Sequence, residues 1–285
     1  MYKKKHVYIY GGLGNQMFQY AFYLSLKKKG VPCVLDASLF LVNKSHNGFE
    51  LFDVFGIKED YFCAPSWLGK GYLIYQKLFI PKSSFFQEKM FSYCADVYKS
   101  ACRYYSGCWL SEDYFRFFSD EIRSIYQFTG VDKNAQEASV EMASDNTVSI
   151  HVRRGDYLRY PRYCVCDEQY YKDAIDLIKI KVGNPFFFVF SDDTTWASQM
   201  MENFNLRYKV IDFNKGNRSF QDMYLMSQCR HHIIANSTFS WWGAWLDSRP
   251  DKIVIAPSTW FNIRQVRIDC DGWHIINVDR KKEEI

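Results

Sequence analysis

The chain has 285 residues, 48% of them hydrophobic, and a formal net charge of +4. That supplies apolar residues for real cores, and a length near twice the usual domain size favours two domains. The small positive balance gives no case for nucleic-acid binding, which would need a strongly basic face, and it suits a site for an anionic small molecule.

The N-terminus, Met1-Tyr2-Lys3-Lys4-Lys5-His6, runs directly into a strand-like stretch with no apolar signal-peptide core. No apolar run approaches the ~20 residues that span a bilayer. The expected location is cytoplasmic. His6 to Gly11 reads as a strand followed by glycines. A helical pattern begins near Asn15 and closes on a lysine run and Gly30, which together are a stop signal. Val31 to Asp36 is the next strand, so the chain opens with a βαβ unit.

From Leu51 to Phe128 no clean period holds, and helices and loops are expected. Within it, Lys70 to Phe91 interleaves aromatics with lysines. It reads as an amphipathic helix packed on its own domain; contact with a membrane surface or a lipid-linked acceptor is the rival reading. The polar segment Asp132 to Asn146 is a helix plus linker, which sets expected domains at 1–140 and 141–285.

After the linker the alternation is regular. Strands are expected at Thr147–Val152, Phe186–Phe190, Tyr208–Phe213, His232–Ala235 and Lys252–Ala256. Helices are expected at Glu168–Lys181, Thr195–Phe204, Ser219–Arg230 and Trp241–Leu246. Repeated βα units imply a mostly parallel sheet whose ligands bind at the C-terminal strand ends.

The chemistry-bearing motifs fall at such ends. Gly11-Gly12-Leu13-Gly14-Asn15-Gln16-Met17-Phe18-Gln19 is a glycine turn opening a helix, where unpaired N–H groups face a ligand. Met17 in the third glycine slot breaks a dinucleotide fingerprint, and no Gly-Lys-Ser/Thr follows for a P-loop. In His151-Val152-Arg153-Arg154-Gly155-Asp156-Tyr157, adjacent arginines point in different directions, one into the site and one onto the loop. A guanidinium binds phosphate oxygens in parallel and stays charged, so Arg153 can stabilise a departing diphosphate without a metal. The rival reading is a loop-pinning Arg–Asp bridge.

Ser191-Asp192-Asp193 ends a Phe-rich strand. Its carboxylates fit a metal site, a base, or acceptors for guanine or ribose, and one of them fits a helix N-cap. In Asn236-Ser237-Thr238-Phe239-Ser240-Trp241-Trp242-Gly243, hydroxyls at a helix start suit phosphate. They also suit capping, and the tryptophans suit either core or a sugar face. Nine cysteines show no framework spacing, because Cys164-Val165-Cys166 is not a C-x-x-C pair. They read as scattered reduced thiols in a reducing compartment. The Asn-x-Ser/Thr triplets at Asn43, Asn217 and Asn236 read as chance matches.

Taken in order, these four motifs resemble the α-1,2-fucosyltransferase family, glycosyltransferase family 11, over residues 11 to 243. The resemblance implies an α/β GT-B fold, two Rossmann-like domains with the active site in the cleft between them. It implies an inverting, metal-independent transfer of L-fucose from GDP-β-L-fucose to the 2-hydroxyl of a galactoside, in surface-glycan synthesis and with no cofactor. The C-terminal half would hold the donor. Arg153 maps to the β-phosphate, His151 with Asp192 or Asp193 to guanine, and Ser237 and Thr238 to the serine-rich turn. Asn15 maps to the reacting centre. Gly14, Arg154, Ser191 and Asn236 are grouped with the donor site, and Trp241 and Gln16 with the acceptor. Animal members carry a membrane anchor that this sequence lacks, so it resembles a bacterial member.

Asp156 is the candidate base, although an aspartate beside arginines reads equally as structural. A dissociative route needs no base. The partners expected are GDP-fucose and a galactose-containing glycan, with peripheral membrane contact through a lipid-linked acceptor. A nucleotide-dependent oxidoreductase is disfavoured by Met17, and a non-catalytic carbohydrate binder has no use for Arg153-Arg154. A GT-B transferase for another nucleotide sugar is the nearest rival.

Overall fold

A computed structural model describes residues 4–42, 46–89, 91–262 and 266–279. The Asn43 triplet lies outside the described residues. The chain divides into two compact units, residues 1–129 and 130–285. A boundary at 140 would cut the helix Lys133–Met142, whose Ala135, Ala138 and Met142 pack into the second unit's core. The polar character that marked this segment as a linker is only the solvent face of that helix.

The first unit runs β1 (Lys5–Tyr8), α1 (Leu13–Lys28), β2 (Cys33–Asp36), α2 (Leu51–Phe55), α3 (Gly69–Phe79), β3 (Phe85–Gln87), β4 (Tyr104–Ser106) and α4 (Ser119–Ile125). Its sheet is wholly parallel, in the order β2-β1-β4-β3. Nearly every α1 residue from Leu13 to Leu26 is buried, so it is a central helix rather than an amphipathic surface one. Phe22 of α1 stacks on Trp109 with ring centroids 3.9 Å apart. β3 and β4 correct the expectation of helices and loops in this region, and β4 pairs directly with β1. Each is three residues long and ring-rich, too short to show a period of two.

The second unit runs α5 (Lys133–Met142), β5 (Thr147–Val152), α6 (Glu168–Val182), β6 (Phe186–Ser191), α7 (Thr194–Asn203), β7 (Tyr208–Ile211), α8 (Phe220–Gln228), β8 (His231–Ile233), α9 (Thr238–Leu246), β9 (Val254–Pro257) and β10 (His274–Ile276). The last strand was not foreseen. All pairings are parallel, in the order β7-β6-β5-β8-β9-β10. The chain starts at β5, winds outward to β7, then returns to the other side of β5. This is the doubly wound order, whose ligand crevice lies where the winding reverses, between β5 and β8. Val148, Ile150 and Val152 pack with α6 and α7 on one face. Phe188 and Phe190 pack with α5 and α8 on the other.

A buried polar chain crosses this sheet. Ser149 Oγ lies 2.9 Å from His232 Nδ1, and His232 Nε2 lies 3.0 Å from Asp247 Oδ2. Asp247 Oδ1 accepts from Arg249 Nε at 2.8 Å and from its backbone N–H at 2.9 Å. The residue types match a hydrolytic triad, but Ser149, His232 and Asp247 are all buried, and the chain ties β5, β8 and the end of α9 together. These partners hold the Asp247 carboxyl down at about 2 against the opposing effect of burial. Removing one member strands the others. Asp247→Ala, which leaves a buried His232 nitrogen unpaired, is therefore expected to cost about 1–3 kcal/mol in urea unfolding, whereas an exposed Asp→Ala control shifts stability by about 0.5 kcal/mol or less.

Candidate functional site

The site in the second unit is set by strand register. Val152 of β5 lies opposite Ser191 of β6. One further step sets Arg153 beside Asp192, and the next sets Arg154 beside Asp193. Arg153 Nη1 is 2.8 Å from Asp192 Oδ2, and its Nη2 is 2.5 Å from Asp156 Oδ1. Arg154 Nε is 3.1 Å from Asp193 Oδ2, and its backbone N–H donates to Asp192 Oδ1 at 2.8 Å. The arginines do diverge: Arg153 lies over the Tyr157 ring, with 5.2 Å to the centroid, and Arg154 over Trp196 at 4.1 Å. Neither ring had been given a role in the sequence. Their placement depends on the loop and helix that carry them.

The Asp192-Asp193 pair divides its work. Asp193 Oδ1 accepts from Trp196 N–H at 3.1 Å and so caps α7. Its own N–H donates to Ser191 Oγ, which makes Ser191 a turn residue. Asp192 is the clamp on Arg153. Gly155 is required between them, because a Cβ there would lie 2.6 Å from Asp192 Oδ2.

His151 is buried at the end of β5, its ring tilted against Phe239. Its Nδ1 is buried without a hydrogen-bond partner. Burial first, and the Arg153 charge second, push its pKa down to about 4, so the ring is neutral at neutral pH. Across the switch point, Tyr157 OH donates to the Asn236 carbonyl at 3.2 Å. The Asn236 amide donates to the Tyr163 and Trp260 carbonyls at 3.0 Å each. Asn236 thus serves as a brace between loops. Ser237 Oγ accepts weakly from Phe239 N–H at 3.4 Å and caps α9. Thr238 is half-buried in the first turn of that helix.

In the first unit, the turn after β1 contains Gly11 at φ +83°, a conformation suited to glycine. A Cβ at Gly11 would sit 2.9 Å from the amide nitrogen of Asn15, so the glycine makes room for that side chain. Gly14 is buried and Asn15 half-buried in the first turn of α1.

The geometry does not favour acceptor contacts by Gln16 and Trp241. Gln16 is fully buried; its Nε2 donates to the Gly11 and Gly48 carbonyls, and its Oε1 accepts from Glu50 and Leu51 N–H. Trp241 is fully buried and donates from Nε1 to the Ile268 carbonyl at 2.6 Å. Neither has surface or hydrogen-bonding capacity left for a sugar.

One further carboxylate escaped the sequence. Glu88, just past β3, accepts from Cys108 and Trp109 N–H at 2.6 and 2.9 Å. Burial raises its pKa. It pins the loop after β4, and no period in its neighbourhood marked it. Among the described residues no group of three His, Cys, Asp or Glu side chains stands close enough to hold a metal ion. The nine cysteines are all free thiols. Among the described residues no helix is long and apolar enough to cross a membrane.

The sequence model of the family Glycosyl transferase family 11 matches residues 2–274. An alpha-1,2-colitosyltransferase of Escherichia coli is 34% identical, over 88% of this chain and 90% of its own length. The O-antigen biosynthesis glycosyltransferase WbnK of Escherichia coli is 32% identical, over 92% and 97%. Galactoside 2-alpha-L-fucosyltransferase SEC1 of Bos taurus is 31% identical over a shorter stretch, 35% of this chain and 28% of its own. Among solved structures, POFUT1 in complex with GDP-fucose aligns over 88% of this chain and 97% of its own, with 12% identity and a TM-score of 0.44.

Two buried rings make stability depend on pH. His151 and His232 both have pKa values lowered to about 4, chiefly by burial. Unfolded histidine titrates near ~6.5. Above that value both rings are neutral in either state and their contribution is complete. As pH falls toward 4 the unfolded chain takes up protons that the native chain refuses, and stability drops. The expected slope is about 1.4 kcal/mol per pH unit for each ring. Urea unfolding across pH 4 to 7 measures it, and histidine ring NMR should show both rings still neutral at pH 5.5.

Proposed function

The chain belongs to glycosyl transferase family 11, related to α-1,2-fucosyltransferases and to a colitosyltransferase, and from that premise we propose that it moves L-fucose from GDP-β-L-fucose to the 2-hydroxyl of a terminal galactoside, with inversion. The observation that carries the proposal is Arg153, held at the end of β5 beside the switch point of a doubly wound sheet. A guanidinium has five N–H donors. Asp156 receives one hydrogen bond from it and Asp192 an ion-pair contact, which leaves capacity for a diphosphate.

In the step proposed, the acceptor oxygen attacks the anomeric carbon from the face opposite GDP. The bond from that carbon to the β-phosphate oxygen breaks, and its electron pair stays on the phosphate. Arg153 faces the charge as it grows, in a site where a fixed cation needs no reorganisation. The acceptor proton leaves late, to solvent water, once the new bond has formed. Asp156 is assigned as the partner that holds Arg153 until phosphate takes its place, since its Oδ1 pairs with the guanidinium at 2.5 Å. His151, neutral and with its Nδ1 buried without a partner, is assigned to the guanine on the family resemblance. Asn15 is assigned to the reacting centre on the family resemblance. Asp192 and Asp193 serve the arginines, so the transfer is proposed to need no metal and no cofactor.

A second reading of the donor follows from one observation: the relative at 34% identity is an alpha-1,2-colitosyltransferase. Nucleotide-linked colitose is therefore the competing donor. The O-antigen relative supports a surface glycan as the product's destination.

Arg153→Ala is expected to lower kcat by about a hundredfold or more, the scale seen when one charge-stabilising donor is lost, with the thermal midpoint nearly unchanged. Near-normal transfer by that variant refutes the phosphate assignment. EDTA should leave transfer intact, and a metal-dependent loss would reassign Asp192 and Asp193 as ligands. Competition between GDP-fucose and the colitose donor, with linkage analysis of the product, decides the sugar.

A further inference from the structure

Helix α3 carries a run of apolar residues on its exposed side. Its inward face carries Gln76, which is 4% exposed; Gln76 Oε1 accepts from Tyr8 OH at 2.8 Å, and its Nε2 donates to Tyr72 OH at 2.9 Å. Its outward face carries Ile74, Tyr75, Leu78 and Phe79, with Leu78 68% and Phe79 70% exposed. Tyr75 and Phe79, one turn apart, stack at 5.3 Å. Trp67, just before the helix, is 82% exposed. A helix that belonged only to its own core would place these side chains inward. The helix does pack on its own unit, through Gln76 and the half-buried Tyr72 and Leu73, but most of its large apolar side chains lie on the exposed side.

Single exposed apolar residues are ordinary, but a contiguous set on one helix marks an interaction surface. The charges around it identify the partner. Lys70 and Lys77 flank the apolar stripe along one edge, and Lys82 follows the helix; from Ala64 to Gln87 there is no Asp or Glu. Beside the helix opens a cavity of about 710 Å³, lined by Tyr72, Tyr75, Ile80 and Tyr104 with the cations Lys4 and Arg103. Arg103 Nε is buried without a hydrogen-bond partner. Apolar side chains, aromatic rings for the headgroup level, lysines able to reach phosphates, and a cationic cavity with an unused donor are together what an anionic bilayer recognises.

We propose that α3 with Trp67 docks this protein on an anionic lipid surface, with Leu78 and Phe79 entering the acyl boundary, Trp67 and Tyr75 at headgroup depth, and the cavity at Arg103 seating a lipid phosphate. Binding to a surface of this kind does not depend on the transfer reaction, so it is measured without donor or acceptor.

The full chain is sedimented with vesicles of phosphatidylcholine, with or without phosphatidylglycerol. Binding is expected only to the anionic vesicles and should fall with added salt. Lys70→Gln with Lys77→Gln should weaken it by roughly thirtyfold, the loss of two lysines near a charged surface. Leu78→Ser with Phe79→Ser should abolish it, and because both are exposed the thermal midpoint should hold. Arg103→Gln, read on the same vesicles, tests the phosphate seat. A wild-type chain that stays in solution with anionic vesicles overturns the proposal, as does undiminished binding by the serine variant. If that variant instead converts a dimer to a monomer in analytical ultracentrifugation while no vesicle binds, the face belongs to a second copy of the chain and the lipid proposal fails.

Discussion

Two guanidiniums at the end of β5, clamped by two carboxylates at the end of β6, are the constraint on which the second unit's site depends. Parallel register alone brings them together, since Val152 opposite Ser191 makes Arg153 the neighbour of Asp192 and Arg154 the neighbour of Asp193. Each charge is only partly buried, so pairing offsets the cost of holding two cations side by side without neutralising the site. The clamp also fixes direction. Arg154 is held over Trp196 next to the cap of α7, while Arg153 reaches toward Tyr157 and the loop braced to Asn236. The demand for glycine at 155 follows from the same clamp, because the carboxylate that holds Arg153 occupies the place of a side chain.

Several polar residues that look like ligand contacts are instead spent on backbone. Gln16 satisfies four main-chain groups, Gln19 bridges Tyr10 N–H and the Gly107 carbonyl, and Asn236 holds two carbonyls from separate loops. Strands of three and four residues leave many loop amides and carbonyls without ladder partners, and a buried group left so is costly. A primary amide, with two donors and two acceptor positions, is the side chain best fitted to repair this. The G-N-Q segment therefore combines a scaffold residue, Gln16, with Asn15, the half-buried one at the helix start.

The two units solve burial differently. In the second, β5 and β6 are buried on both faces, and helices α5 through α8 cover them. In the first, rings from α1, β4 and the following loop pack on one another, as in the Phe22–Trp109 stack. The first unit also leaves one helix with its apolar side unpartnered, and the basic residues beside it indicate what covers that side.

The sequence by itself determined the βα alternation of the second unit, because long apolar strands and capped helices write their periods plainly. It also determined the family, because four strand-end motifs in one order are specific. It could not show β3 and β4, whose three ring-rich residues hold no period, nor the domain boundary, which a polar helix face disguised as a linker. Only the tertiary structure decided which polar motif residues are free to act. Whether Gln16, Asn236 or Trp241 meets a ligand or a carbonyl depends on what other segments bring to it, and no local pattern records that. The arginine motif stood out early as a charged cluster after an apolar strand. Its partners and direction were decided by register, a property of two strands that neither strand's sequence contains.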